Sequence, residues 1–547
     1  MKKILPIIAL LATTGTQAQV LYVNTGNGAH EQINSTAIEQ IKFDNQQQLV
    51  AIEKSDGTTS SFATADIDSI SLNGHGSALT YSTDRAVVFD AADATSFSEK
   101  IETIETDELA DEWGDFVENA SFTSIINIVF SENKVTCSST LSDVTYTITN
   151  NTHIVINSSR SKVGYIVRGT CSNGSLKIYS TKKFQIMPLN LTLTNPTGPA
   201  INIQSGKTVY FTLQGTNTLC DGETYAAAPN GADGTPEDQK GTLFSEGQII
   251  FNGAGTLNVT SRGGHGICSD DYIRVRCGNI TVNAIKDGFN TNDMFRIGRT
   301  TAASPVINIT AGGNGIDCGK GDIVIEAGKI EINSGDEAIK AEYEGADTSI
   351  TANAIINGGY IKARTTNEKS SILKTSGDLT INNGNIHAET MGNGSKILNS
   401  KGNIAISGGK IIGISHGSLS SDATTAGGFK CDQDLTIDGA TIAIDCKGEG
   451  SKGFNCNGDI TINGGNITLV AKAANYIADD DRKTRAITTN NITVNGGEVF
   501  AKSYDHAINS TSATINSGTV HAFSTSATAL AGETIQNGGW LLTQDAQ

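Results

Sequence analysis

The sequence predicts an all-β chain, a single-stranded parallel β-helix with 20–25 residues per rung, preceded by a small N-terminal β module. Three observations predict it. From about residue 240 onward a short unit recurs: an apolar-x-apolar pair, an Asn/Gly turn, then x-apolar-x. Its key apolar position is held by Val275, Ile325, Ile356, Ile381, Ile406, Ile437, Ile462, Val494, Ile515 and Ile535. A second column, Ile267, Phe289, Ile316, Ile339, Leu373, Leu398, Phe429, Phe454, Ile487 and Ile508, keeps the same register. The third observation is composition: 60 glycines against 7 prolines in 547 residues. Stacked strands need their N–H groups, which disfavours proline, and tight corners favour glycine. The period lacks helical spacing and the consensus of leucine-rich repeats, so helical and leucine-rich arrays are excluded.

The elements follow in chain order. Residues 1–18, MKKILPIIALLATTGTQA, have a basic start, a short apolar run and a small residue at the cut, as in a secretory signal peptide. The apolar run is too short to span a bilayer, and no later stretch is long enough. The protein is therefore expected outside the cytoplasm: periplasmic, at the cell surface or extracellular. Residues 19–75 read as short strands, AIEQIKFD and DIDSISLN among them, with a DG turn between two others. Residues 76–150 are irregular and lead into the solenoid. Their acidic run IETIETDELADEWGDF is either helical or a solvated loop. Residues 151–547 form the solenoid. Asn357, Asn382, Asn463, Asn495 and Asn516 share one corner, where they should stack and take left-handed conformations. Asp322, Asp378, Asp434 and Asp459, with Asn403 and Asn491, share another. The 50-residue step from Val275 to Ile325 hides one more copy around Phe295 and Ile297. Nine cysteines lack CxxC spacing, which argues against a zinc site; export permits disulfides, with at least one thiol left unpaired by the odd count, and small buried side chains in the stacked interior are the alternative reading.

Charge bounds the partners. The formal net charge is −18 without a basic block, so nucleic acid is excluded as a partner. Arg274 and Arg276 alternate with inward Ile273 and Val275, and Arg296 aligns with Arg274 one rung on, with Arg299 just beyond. This predicts an outward basic patch, with Tyr272 as a stacking surface, suited to the carboxylates of an acidic polymer. Asp270, Asp271, Asp287, Asp293, Asp317, Asp322 and Asp336 fall in neighbouring rungs and are the candidate ligands of a hard cation such as calcium. His265 reads as a turn residue and Trp540 as part of the end cap. The loop NYIADDDRKTR (475–485) offers Asp479, Asp480 and Asp481 beside Arg482 and Lys483, raw materials for a calcium-assisted lyase or a charged solvent loop. There is no GxSxG elbow, HExxH helix or phosphate loop.

Three stretches carry a family resemblance: LNLTLTNPTGPAINIQSGKTVYFTLQGTNTLCDG (189–222), KGTLFSEGQIIFNGAGTLNVTSRGGHGICSDD (240–271) and the repeated NGGxI rungs. Over roughly residues 120–547 the chain resembles secreted bacterial carbohydrate-binding proteins with a right-handed parallel β-helix, related in shape to pectate lyases. The resemblance implies binding of plant-type polysaccharides, acidic pectin-like ones included, with calcium involved and without an established enzymatic activity. The expected function is thus non-catalytic polysaccharide binding by a monomer. A polysaccharide lyase or glycoside hydrolase, and a surface adhesin or structural spacer, are the alternatives.

Overall fold

The computed structural model describes residues 20–25, 30–34, 37–44, 49–63, 65, 67–72, 83–231, 234–298, 303–476 and 482–546. The signal-peptide segment, Arg299 and Asp479–Asp481 lie outside the described residues. The chain divides into two compact units, Met1–Asp84 and Arg85–Gln547.

In the first unit, Val20–Thr25 pairs antiparallel with His30–Asn34 and with Ile67–Leu72. A second sheet joins Ile38–Asp44, Leu49–Lys54 and Thr59–Ala63. Alternation puts Leu21, Val23, Ile33, Val50 and Ile52 into one core. The Asp56-Gly57 turn links two of the strands. Gly57 takes φ +81°, and the Asp56 carboxylate accepts the Thr58 N–H at 2.9 Å.

The second unit is all-β and is dominated by one long run of parallel pairings, as in a β-solenoid. Each rung gives one strand to each of three parallel sheets. The first sheet contains Ser371–Thr375, Lys396–Ser400, Gly427–Cys431 and Lys452–Cys456. The second contains Tyr272–Val275, Met294–Ile297 and Ile323–Ile325. The third contains Tyr360–Thr365, Asn385–Thr390 and Lys410–Ser415. Both apolar columns read from the sequence are register columns. Ile267 to Ile508 pair in the expected order through the first sheet. Val275 continues through Ile297, the hidden copy, to Ile515 in the second. The last member departs. Ile535 pairs with Thr514, one residue out of column, and is 38% exposed. A one-residue slip turns a strand residue to the other face.

The corners show what asparagine does there. Asn382 donates to Asn357, Asn495 to Asn463, and Asn516 to Asn495, each at 2.8 Å, so the expected ladder exists. The left-handed conformation does not fall on asparagine. It falls two residues later, on Gly359, Gly384, Gly465, Gly497 and Gly518. A Cβ-bearing residue is strained at positive φ, whereas the asparagine amide is free to bond along the stack. The second ladder runs Asp322, Asn353, Asp378, Asn403, Asp434, Asp459 and Asn491, each side chain accepting the backbone N–H of the next. Eight of the nine cysteines are buried and Cys137 is half-buried.

Residues 85–122 form a strap laid along the solenoid. Three short 3-10 turns, Ala91–Ala94, Trp113–Asp115 and Val117–Asn119, are its regular elements, so the acidic run is not a long helix: its middle, Thr106 to Asp111, is mostly exposed loop, while Glu102 and Phe116 are buried against the solenoid. It begins on the third sheet. There Arg85 pairs with Glu498 and covers Phe500, Phe89 stacks on His387, and the buried Asp93 carboxylate meets His387 (2.7 Å) and Lys410 (2.9 Å). It crosses to the second sheet at a glycine corner. The Gly359 N–H donates to the Ser98 carbonyl at 2.7 Å, and a Cβ on Gly358 would lie 2.8 Å from that same oxygen. It ends where Phe122 packs edge-on against Tyr210.

Candidate functional site

The predicted arginine patch is real in register and hidden in space. Arg274 pairs with Arg296 across adjacent rungs, as the alternation requires. Yet Arg274 and Arg276 are 0% exposed, because the strap lies over them. This corrects the expectation of a solvent-facing patch. Arg274 bonds Glu102, Asp115 (2.8 Å) and Glu112 (3.2 Å). Arg276 bonds Glu118 (2.7 Å) and Glu102 (3.4 Å). Arg296 bonds Glu112 and Glu326 (2.9 Å). The Phe116 ring lies under both buried guanidinium groups, 5.3 Å from that of Arg274 and 4.3 Å from that of Arg276. Tyr272 is drawn into the same cluster, where burial and the nearby Asp115 carboxylate push its phenol well above the ordinary range. The acidic polymer expected on these arginines is thus, in this structure, the protein's own residues 102–118.

The seven candidate calcium ligands are spread over several sites. Asp322 belongs to the turn ladder described above. Asp287 accepts from the Asn314 N–H (2.7 Å) and Asn290 (3.1 Å) and faces His265 at 3.1 Å. Those bonds hold its carboxyl below the usual range against the opposing effect of burial. His265, Asp287 and Asn314 each cap the N–H of their counterpart on the next rung, which makes His265 the turn residue it resembles. Asp317 is raised to about 6, mainly by burial, and Asp336 accepts from Asn367. Asp271 is raised by burial and by Asp293 opposite it. Asp270 alone joins a carboxylate cluster among the described residues, with Asp238 and Glu246. The Lys240 ammonium sits on that cluster, 2.9 Å from Asp238 and 2.6 Å from Asp270. As placed, these carboxylates already hold a cation.

The surface that sequence reasoning missed lies on the first sheet, away from the sheets the strap contacts. A groove of about 540 Å³ is lined by Lys374, Lys396, Lys401, Lys430, Lys452 and Arg482. Asp432 is the one carboxylate of its lining. Lys374 is tied to Glu342 (2.7 Å) and Glu337 (3.2 Å), Lys401 to Glu342 (2.7 Å), and Lys430 to Asp432 (2.7 Å). Lys396 donates to the Gly394 carbonyl at 2.9 Å. The lining thus carries six basic side chains against one carboxylate on a chain of net charge −18, a local surplus of cations of the kind that favours anions. Tyr476 is 46% exposed on the same insertion as Arg482, whose carbonyl accepts its N–H.

Burial, with Lys430 and Lys374 beside it, brings the Lys396 ammonium down to about 8, and Asp422 and Asp432 offset this only in part. Lys396 is charged below that value and neutral above it. Anion binding in the groove is therefore expected to weaken by about tenfold as pH rises from 7 to 9.5, the loss of one charge-assisted contact. Titration calorimetry across that range checks it, and a flat profile would remove Lys396 from the site.

A family model described as carbohydrate-binding domain-containing protein matches residues 142–418 and 374–475. All the groove lysines fall within those spans; the strap and Arg482 do not. No curated protein matches the chain. Among solved structures, a polysaccharide lyase-like protein from C. thermocellum, as a gadolinium derivative, is 20% identical at a TM-score of 0.38. The alignment covers 51% of this chain and 96% of that one.

Proposed function

Since the chain belongs to the family of carbohydrate-binding domain-containing proteins, we propose that it is an exported, non-catalytic binder of acidic polysaccharide, built on a right-handed parallel β-helix. The observation that carries this reading is the lysine groove within the matched region of an acidic chain. A protein of this net charge repels polyanions at long range, so an acidic glycan must find a local cationic surface. The arginine patch is occupied by the strap, which leaves the groove. Open grooves suit extended polymers. Calcium, which the family resemblance implies, finds its best carboxylate set at Asp238, Glu246 and Asp270, but Lys240 fills it. The groove lysines therefore make the contact directly.

Affinity electrophoresis through gels containing polygalacturonate or a neutral glycan tests this. Retardation is expected in the acidic gel alone. It should be abolished by high salt, survive chelation, and leave no unsaturated uronides in the ultraviolet spectrum. Equal retention in the neutral gel, loss on chelation alone, or release of unsaturated products would each overturn the reading.

A further inference from the structure

The four strands that floor the groove carry an alternation. They read SILKT (371–375), KILNS (396–400), GGFKC (427–431) and KGFNC (452–456). Register fixes two outward columns. The first runs Ser371, Lys396, Gly427, Lys452 and the second Lys374, Asn399, Lys430, Asn455. Within these two columns each of the four rungs presents one lysine, and the lysines change column from rung to rung; Lys340, in register with Lys374 one rung earlier, ends the alternation on that side, and Lys401 lies just past the end of its strand. Where the first column lacks a lysine it has serine or glycine, which leaves room. Gly427 could carry no Cβ at all, since that atom would lie 1.9 Å from the Lys452 carbonyl oxygen. Where the second column lacks a lysine it has asparagine, able both to donate and to accept.

Parallel strands stack at about 4.8 Å, so lysines within one column stand about 9.6 Å apart and the two columns are offset by one rung. An extended two-fold pyranose chain advances by close to one rung spacing per sugar and turns its substituents to opposite sides at successive sugars. Laid along the solenoid axis, such a chain brings each ring substituent toward a lysine, left and right in turn. Building on the acidic-polysaccharide reading above, we propose that this checkerboard selects a linear glycan carrying an anionic group on every sugar, bound parallel to the solenoid axis with one sugar per rung over four rungs. A glycan charged on alternate sugars can engage one column only. Lys452, 7% exposed, lies at the back of the groove, while Lys374 and Lys430 are 24% and 19% exposed. The Glu342 and Asp432 partners of those two lysines hold them in place until a ligand anion replaces or shares the bond.

The test uses the full chain and three probes: homouronan oligomers of two to six sugars, oligomers with a uronic acid on alternate sugars, and a neutral glycan. For the unmodified protein, homouronan affinity should rise to four sugars and then level off, and should exceed that of the alternate-charge oligomer of equal length by at least tenfold. Lys396→Gln and Lys430→Gln, one from each column, should each lower homouronan affinity about tenfold. For the alternate-charge probe, one of the two should have no effect. Equal affinity for both acidic probes, equal sensitivity of both to both columns, or a length profile without a break at four would overturn the checkerboard while leaving acidic-glycan binding intact. Failure of every acidic probe to bind at low salt would instead overturn the underlying function. The length series needs no substitution, so the proposal stays falsifiable if a variant folds poorly.

Discussion

Replacing Glu102 by alanine is expected to cost about 3–5 kcal/mol of strap stability, the range for removing one partner of a buried ion pair. Glu102 is 3% exposed at its side chain and serves two guanidinium groups, both 0% exposed. Its removal leaves Arg274 with Glu112 and Asp115, and Arg276 with Glu118. Those three carboxylates are 34%, 17% and 41% exposed, so solvent screens them more. The solenoid is quasi-one-dimensional and unfolds without a single global free energy, so the measurement must be local. Hydrogen exchange over residues 99–120 is expected to speed up by about 10²–10⁴-fold, at tenfold per 1.4 kcal/mol. Glu102→Gln keeps the shape and one acceptor and should fall between. Unchanged protection of the strap in Glu102→Ala would mean that the other carboxylates suffice. Glycan binding in the groove should be unaffected in either variant, because the strap contacts the second and third sheets and the groove lies on the first.

The same contacts change what Arg274→Ala reports. From sequence alone it is a binding variant. In the structure it empties a site between Phe116, Glu102 and Asp115, so loss of strap protection precedes any statement about ligands.

Periodicity explains what was legible. A solenoid repeats its inward residues because each rung packs on the last, so Leu373, Leu398, Phe429 and Phe454 declare one another across 25 to 31 residues. It also fixes which residues point outward, hence the correct pairing of Arg274 with Arg296. The strap repeats nothing. Glu102 and Arg274 are 172 residues apart in sequence, and nothing periodic joins them. The groove lay between these cases. Its lysines immediately follow or closely precede column residues already aligned, as in Leu373-Lys374 and Phe429-Lys430. Their alternation emerges only when two outward columns are read together over these four rungs, because either column alone shows a lysine in two of the four. The calcium set failed to converge for a related reason. Turn aspartates recur with the rung because they accept N–H bonds from the next rung, as Asp322, Asp378 and Asp434 do, and that role spreads them along ladders.

Phe429→Ala is the second large effect, and it connects the core to the groove. Phe429 is 1% exposed and stacks on Phe454 with ring centroids 4.8 Å apart and planes 18° apart. Truncation of a buried phenylalanine costs about 3–5 kcal/mol through lost transfer energy and the cavity left behind. Here the cavity would open directly beneath the rung that carries Lys430. The surrounding side chains repack and the strand that carries Lys430 moves inward into the cavity, which displaces Lys430 relative to Lys396 and Lys452. Exchange should therefore accelerate across 396–400, 427–431 and 452–456 and leave distant rungs such as 272–275 protected. Acidic-glycan affinity should fall although every lysine is present. Phe429→Leu restores the residue type of Leu398 and Leu373 in the same column. It should cost about 1 kcal/mol and keep most of the affinity. If Phe429→Ala loosened the three strands yet bound the glycan as before, rung spacing would not set recognition, since a ligand read by the alternation of cations cannot be indifferent to the distance between them.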